Sequence, residues 1–311
     1  MCLKLFLMTR NEIELIEDWL KYHGFLFGFE NIYILDGSDD QRVFDIYKRY
    51  KPFGLHVKIS STGLNGLAEE LSLLMHEKKG LNNFLIKLDT DEFLAYSLPV
   101  TLGEEITQGN SFINKSLFVR NFNEFFEALP ITGQRYKASF MTWSIPKHSY
   151  IENPAIELIE FTPLQPIDFK VFFHSESFLS VDLGAHVGES TNNEGFIYTG
   201  LSVIHFHSTS LDDSIRRARQ VLISHGYIDA LDSVEIQHEK LLKLQEGGAV
   251  NSFHKISLYL LHLNEVLGGK RLDPEMLNFQ HPWFRQNGPS SKMTLVRDTL
   301  NFIEQEWRFE K

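Results

Sequence analysis

Cysteine is almost absent from this chain of 311 residues, because Cys2 is the only one. A single cysteine cannot form an internal disulfide, and its scarcity favours a reducing compartment. A folded chain of this length buries about three quarters of the surface that its unfolded form exposes, so no metal is needed merely to hold it together. We therefore expect any bound metal to serve the chemistry of the protein.

Long apolar runs are also missing. No stretch approaches the ~20 predominantly apolar residues that a membrane-spanning helix needs. Near the N-terminus, Arg10 and Asn11 interrupt the first apolar run before the core of a signal peptide is complete. We expect a cytoplasmic protein that contacts a membrane at most peripherally.

Positive charge is scarce, since 30 lysines and arginines face 41 aspartates and glutamates, which gives a net charge of −11. That balance argues against a broad surface for nucleic acid, although a local pocket for one nucleotide remains possible. The glycine motifs G-x-G-x-x-G and G-x-x-x-x-G-K-S/T are both absent, which disfavours dinucleotide-dependent oxidoreductases and P-loop hydrolases.

Apolar strands alternate with helical patterns through the first ninety residues, as is typical of a parallel sheet covered by helices. The predicted strands cover residues 3–8, 31–35, 55–59 and 84–88. From about residue 211 the pattern becomes helical. The sequence therefore predicts an α/β domain over residues 1–210 and a helical region over residues 211–311.

Polar clusters follow three of the predicted strands directly. They are Thr9-Arg10-Asn11, Asp36 and Asp89-Thr90-Asp91. Because ligands of open α/β sheets bind beyond the carboxyl ends of the strands, we expect the three clusters to form one site.

The third cluster and the residue after it place three acids, Asp89, Asp91 and Glu92, within four residues. We expect no positive charge to neutralise them. Oxygen ligands suit Mg²⁺ or Mn²⁺, which bridge carboxylates to substrate phosphates. The alternative is a solvated acidic turn. An EF-hand is excluded, because Phe93 and Leu94 stand where that loop needs an oxygen ligand and a glycine.

Four segments together resemble the ordered motifs of the family 2-like and family 92-like glycosyltransferases. They are Thr9-Arg10-Asn11-Glu12, Glu17-Asp18-Trp19-Leu20-Lys21-Tyr22-His23, Ile32-Tyr33-Ile34-Leu35-Asp36-Gly37-Ser38-Asp39-Asp40 and Leu88-Asp89-Thr90-Asp91-Glu92-Phe93-Leu94. A weaker resemblance continues through Phe169-Lys170, His186-Val187-Gly188 and the segment from His205 to Ser210. The resemblance as a whole covers roughly residues 3 to 226.

The resemblance implies a GT-A fold, with a Rossmann-like mixed sheet and a helical C-terminal extension, that binds a UDP-sugar and Mn²⁺ or Mg²⁺. The implied donor contacts are Thr9, Arg10, Asn11, Glu12, Asp36, Asn65, Asp89 and Lys170. The implied metal ligands are Asp89, Asp91 and His205, with His186 and His207 as competitors. Where the family often has a lysine, this chain has Thr209, so a phosphate-facing lysine is missing there.

These features predict a metal-dependent glycosyltransferase that moves a sugar to a hydroxyl of a glycan, glycolipid or glycoprotein. The resemblance alone favours inversion, which requires a general base to deprotonate the acceptor. Candidates for that base are Glu152, Asp168, Asp182 and Glu189, of which Glu189 is preferred because it follows the His186 motif. An oligomer is compatible with the sequence.

Two other functions remain open. A nucleotidyltransferase shares strand-end carboxylates and a metal, but it would be expected to carry a glycine-rich basic loop where this chain has Thr9-Arg10-Asn11-Glu12. A binding module that keeps the nucleotide-sugar fold without turnover is the second alternative. Retention of the aspartates and a histidine argues against it.

Overall fold

The computed structural model describes eleven parts of the chain. They are residues 2–60, 62, 64–96, 115–140, 159–163, 169–205, 211–247, 253–270, 284–289, 300 and 303. Those in 2–140, 159–205 and 284–303 belong to one compact unit, and those in 211–270 to a second. The predicted boundary near residue 210 falls outside the described residues and stays a prediction.

The described strands and helices follow the alternation expected from the sequence. The strands are β1 (Leu3–Thr9), β2 (Ile32–Asp36), β3 (His56–Ile59), β4 (Phe84–Leu88), β5 (Glu92–Tyr96), β6 (Arg135–Phe140), β7 (Ile159–Pro163), β8 (Phe169–His174), β9 (Phe178–Val181), β10 (Gly188–Ser190), β11 (Phe196–His205) and β12 (Phe284–Pro289). The helices are α1 (Ile16–Phe27), α2 (Gln41–Tyr50), α3 (Leu64–Lys78), α4 (Lys115–Ala128), α5 (Leu211–Ser224), α6 (Val234–Glu246) and α7 (Phe253–Val266).

The main sheet of the first unit has eight strands in the order β3-β2-β1-β4-β8-β6-β11-β5. Strands β3, β2, β1 and β4 are parallel. Strand β8 runs antiparallel to both β4 and β6, and β5 runs antiparallel to β11. The predicted fold class, an α/β fold with a Rossmann-like mixed sheet and a helical C-terminal extension, is confirmed.

The core of the first unit explains why its central strands are apolar. Every residue of β2 and β4 is buried, as expected for parallel strands that are covered on both faces. On one face, Phe6 and Leu85 pack with Leu71 of α3 and Phe178 of β9. This packing holds the carboxyl ends of β1, β2 and β4 in fixed positions.

The second unit consists of helices in the part that the structure describes. Leu222 of α5, Leu241 of α6, and Ile256 and Leu263 of α7 share one apolar cluster. The apolar face of α7 is therefore a packing surface between helices. Across both units, none of the helices in the described ranges is long and apolar enough to cross a bilayer.

Candidate active site

The carboxyl ends of β1, β2 and β4 bring the three polar clusters together. Thr9 lies opposite Asp36 in the register of β1 and β2, and its carbonyl accepts a hydrogen bond of 3.0 Å from the N–H of Gly37. The Thr90 hydroxyl donates to Thr9 Oγ1 at 3.1 Å. The residues after the three strands therefore meet at one edge of the sheet, as the sequence predicted.

Asn11 holds the aspartate turn that follows β2. Its N–H donates to Ser38 Oγ at 2.7 Å, and its side-chain oxygen accepts from the N–H groups of Asp39 and Asp40 at 3.0 and 3.1 Å. Asn11 has a φ of 53°, a left-handed conformation that asparagine adopts more readily than most residues. These bonds commit the side-chain oxygen of Asn11 to the turn. The predicted contact between Asn11 and the donor stays a prediction.

Asp36 is fully buried, and its two oxygens differ in their contacts. Oδ1 accepts from the N–H and the hydroxyl of Ser38, at 2.8 and 2.5 Å, whereas Oδ2 makes no hydrogen bond of standard geometry among the described residues. Burial raises the pKa of Asp36, and hydrogen bonding from Ser38 and from the Tyr47 hydroxyl offsets part of that shift. The Tyr47 hydroxyl is thus a donor within the fold that can serve this carboxylate, beside any donor group on a ligand.

Two further residues lie near Asp36. Burial raises the pKa of the Tyr47 hydroxyl, and the negative charges of Asp36 and Glu12 raise it further. Glu12 is partly buried, whereas Arg10 is exposed. Two of the predicted donor contacts, Glu12 and Asp36, thus lie near the same buried tyrosine, Tyr47, which is not among the predicted site residues.

Two buried lysines neutralise the turn between β4 and β5. Lys87 and Lys170 are 1% and 0% exposed, respectively. Lys87 Nζ contacts Asp89 Oδ1, and Lys170 Nζ lies 3.0 Å from Asp89 Oδ2 and 2.9 Å from Glu92 Oε2. The expectation that no positive charge neutralises these acids is therefore wrong.

These contacts shift the pKa values of the cluster in different directions. Burial alone would raise the pKa of Asp89, but the positive charges of Lys170 and Lys87 outweigh it and hold the pKa below its usual range. Burial alone would lower the pKa of Lys170, yet Asp89 and Glu92 raise it. Asp89 keeps 40% of its side chain exposed. It is thus an ionised and accessible acceptor.

Glu92 closes the turn. Its Oε2 accepts the N–H of Asp89 at 2.7 Å, and its own N–H donates to the carbonyl of Asp89 at 3.0 Å. Strand β5 begins at this residue and pairs with β11, with His205 opposite Glu92. The D-x-D segment is therefore a tight turn between β4 and β5, and β5 is not among the strands that the sequence predicts.

Asp91 and His205 form the second charged pair of the turn. His205 Nε2 lies 3.2 Å from Asp91 Oδ2, and the two side chains are 16% and 9% exposed, respectively. Burial would lower the pKa of His205, but the charge of Asp91 outweighs it and the pKa is raised. The structure thus places His205 beside Asp91, and their implied role as metal ligands stays a prediction.

Three side chains of α1, all within residues 17–23, contact β5, the strand that leads out of this turn. The indole N–H of Trp19 donates to the carbonyl of Glu92 at 2.9 Å, and the Tyr22 hydroxyl donates to the carbonyl of Leu94 at 2.7 Å. His23 Nε2 accepts the N–H of Leu94 at 3.3 Å, while Nδ1 lies 3.0 Å from the carbonyl of Trp19. Three side chains of one helix therefore fix the strand that begins at Glu92.

His23 predicts a dependence of stability on pH. Burial lowers the pKa of His23 to about 3 in the folded protein, whereas an unfolded chain takes up this proton near pH ~6.5. The free energy of unfolding should therefore decrease as pH falls below about 6.5, by up to ~1.4 kcal/mol per pH unit, until the pH nears the folded pKa. Above that window His23 is neutral in both states and contributes no slope.

Urea denaturation at pH 7, 6 and 5 measures this contribution. His23→Gln keeps a donor and an acceptor but cannot take up a proton, so it should show a shallower loss of stability than the wild-type protein. Identical slopes in the wild-type protein and His23→Gln would contradict the assignment.

The other predicted site residues lie as follows. Asn65 is the second residue of α3, and its side chain is outside the described residues, as are all of His207, Glu152 and Asp168. His186 is exposed, and Glu189 is exposed in β10 opposite Ser180 of β9. Their roles stay predictions.

Asp182, another candidate base, has a structural contact on each oxygen. Oδ1 accepts the N–H of Val187 at 2.7 Å, and Oδ2 accepts the N–H of Gly184 at 3.1 Å. Among the described residues, no group of three histidine, cysteine, aspartate or glutamate side chains is arranged to hold a metal ion. Within the described residues, a metal ion would therefore have at most two ligands of these four residue types, such as Asp91 and His205.

Comparisons with known proteins give a distant structural likeness. The sequence matches no protein-family model and no curated protein. Residues 1–349 of S. aureus TarS are 10% identical with a TM-score of 0.35, over 100% of this chain and 93% of that one, and the complex of the same fragment with UDP gives the same values. A mannose-1-phosphate geranyltransferase from Thermus thermophilus is 10% identical with a TM-score of 0.27, over 83% and 67% of the two chains. Likeness at this level assigns no function.

Proposed function

We propose that this protein is a metal-dependent glycosyltransferase. It would transfer a sugar from a UDP-sugar to a hydroxyl of a glycan, glycolipid or glycoprotein, with inversion at the anomeric carbon. The observation that carries the proposal is the pair of Asp91 and His205, 3.2 Å apart beside the ends of β1, β2 and β4. The ordered motifs that resemble family 2-like and family 92-like glycosyltransferases support it.

The donor atoms of this pair fit a divalent cation when His205 is deprotonated, and this proton must leave although Asp91 raises the pKa of the histidine. Two ligands at right angles, each about 2.1 Å from one ion, are about 3 Å apart, close to the 3.2 Å between Asp91 Oδ2 and His205 Nε2. A carboxylate suits Mn²⁺ and Mg²⁺, and an imidazole favours the transition metal of the two. Asp89 fits less well, because both of its oxygens contact lysines. We therefore assign Asp91 and His205 as the protein ligands.

The residues around the pair would bind and orient the donor. Asp36, whose Oδ2 makes no hydrogen bond of standard geometry among the described residues, would accept one from the base or ribose. The exposed part of the Asp89 carboxylate would accept one from a hydroxyl, since its lysine partners keep it ionised. A cation held by Asp91 and His205 would neutralise the charge that develops on the diphosphate leaving group. Glu189 remains our candidate for the general base, because its carboxylate is exposed.

A thermal-shift titration tests the proposed function. UDP and Mn²⁺ added together should raise the melting temperature by more than the sum of their separate effects, because each completes the site of the other and both bind only the folded state. In Asp91→Asn, the shift in melting temperature with both ligands should be no larger than the sum of the two separate shifts. Purely additive shifts in the wild-type protein would contradict a shared site.

A further inference from the structure

The charge of the turn differs from the charge that its sequence suggests. With every group counted as ionised, Asp89, Asp91 and Glu92 contribute three negative charges, and Lys87 and Lys170, which contact two of these acids, contribute two positive charges. Burial raises the pKa of Glu92 and lowers that of Lys87, so each of these charges depends on its partners in the cluster. Three minus two leaves one net negative charge when His205 is neutral. A site that would attract cations strongly is thus nearly balanced before any ligand binds.

Lys170 cannot contact a donor without giving up a partner. A lysine ammonium has three N–H donors, and here they face Asp89 Oδ2 at 3.0 Å, Glu92 Oε2 at 2.9 Å and the carbonyl of Gly184 at 2.5 Å. The side chain is fully buried. Its effect on a ligand must therefore be transmitted through its charge and through the two acids that it holds.

Lys87 is in a similar position on β4. It is the charged residue of a strand that is otherwise apolar and wholly buried, and its ammonium contacts Asp89. A lysine buried in this way is costly unless it is paired. Because it too is withdrawn from solvent, Lys87 is suited to setting the electrostatic potential of the turn and not to touching a ligand.

We propose that Lys87 and Lys170 are positioning residues that set the charge balance of the site against free cations and in favour of the diphosphate. This inference rests on the proposed function. A fixed positive charge in a poorly solvated site repels Mn²⁺ and attracts the diphosphate, and the two effects have opposite signs. The lysines thereby couple the two ligands, since the cation binds well only when the diphosphate arrives with it.

Lys87→Met tests this balance, because it removes one positive charge and keeps the contacts of Lys170. Two calorimetric titrations are compared with the wild-type protein, Mn²⁺ without nucleotide and UDP at saturating Mn²⁺. We expect Mn²⁺ to bind roughly tenfold more tightly and UDP roughly tenfold more weakly. Lys170→Met repeats the test at the second lysine, and Lys170→Arg, which keeps the charge, should restore both affinities toward the wild-type values.

Lys4→Met is the matched control, because Lys4 lies near the start of β1, where its ammonium bonds to the carbonyl of Lys78. It should leave both affinities unchanged. A loss of both affinities in Lys87→Met, or no change in either, would overturn the proposed charge balance while wild-type binding of UDP and Mn²⁺ still stood. Failure of the wild-type protein to bind the two ligands together would instead refute the proposed function.

Discussion

Asp91→Asn is expected to lower the rate at which the protein hydrolyses a UDP-sugar to UDP by roughly a thousandfold. Metal-ion stabilisation of a leaving group contributes several kcal/mol, and each ~1.4 kcal/mol corresponds to a factor of ten in rate. The variant replaces the carboxylate that lies 3.2 Å from His205 with a neutral amide of the same shape. Turnover is measured over a panel of UDP-sugars at saturating Mn²⁺, without an acceptor.

Asp45→Asn is the control for this change. Asp45 is an exposed residue of α2 that pairs with Lys48 at 2.7 Å and accepts from Gln41 Nε2 at 2.9 Å, so the same substitution there alters only surface contacts. Surface pairs contribute little to stability because solvent screens them, and the rate should be unchanged. Wild-type turnover in a correctly folded Asp91→Asn protein would remove Asp91 from the metal site.

Trp19→Ala should lower the free energy of unfolding by about 3–5 kcal/mol, the usual cost of truncating a buried large aromatic side chain. Trp19 is fully buried, its ring centroid lies 4.3 Å from that of His23, and its indole N–H holds the carbonyl of Glu92. The variant loses this packing and leaves the carbonyl without its donor. Urea denaturation at pH 7.5 measures the change.

Trp19→Phe separates the hydrogen bond from the packing. Phenylalanine keeps most of the apolar ring but cannot donate to Glu92, so we expect a loss of about 1–3 kcal/mol. UDP affinity should fall in both variants, because the strand that begins at Glu92 carries the turn. Losses below about 1 kcal/mol in both would show that α1 does not fix this turn.

Much of the fold was predictable because its signals are local. A short apolar run predicts a buried strand. The polar residue that follows the run marks the end of the strand, as Thr9 and Asp36 do. Parallel strands place such residues at one edge. The convergence of the polar clusters could therefore be predicted from each segment by itself, together with the rule that ligands of open sheets bind at the carboxyl ends of the strands.

The lysine partners of Asp89 were not predictable in the same way. Lys170 lies 81 residues from Asp89, and the two meet only because β8 inserts antiparallel beside β4. The sequence pattern carries no signal for that insertion. Lys87 did carry a signal, because a charged residue two positions before Asp89 in a strand lies on the same side of the sheet.

The helix motif of α1 illustrates a second limit. The pattern predicts a helix correctly, but the partners of Trp19 and Tyr22 are carbonyls of β5, more than seventy residues away. Five residues after the D-x-D segment were too few to identify β5 as a strand. Its pairing with β11, which brings His205 to Asp91, depends on contacts between distant segments.

Diffraction from crystals soaked with UDP and Mn²⁺, recorded at the manganese absorption edge, shows whether a cation binds between Asp91 and His205. The proposed site predicts one anomalous peak in contact with Asp91 Oδ2 and His205 Nε2, with the diphosphate of UDP on its other side. A nucleotide bound at Asp36 with no peak between these two side chains, or a peak elsewhere in the molecule, would contradict it.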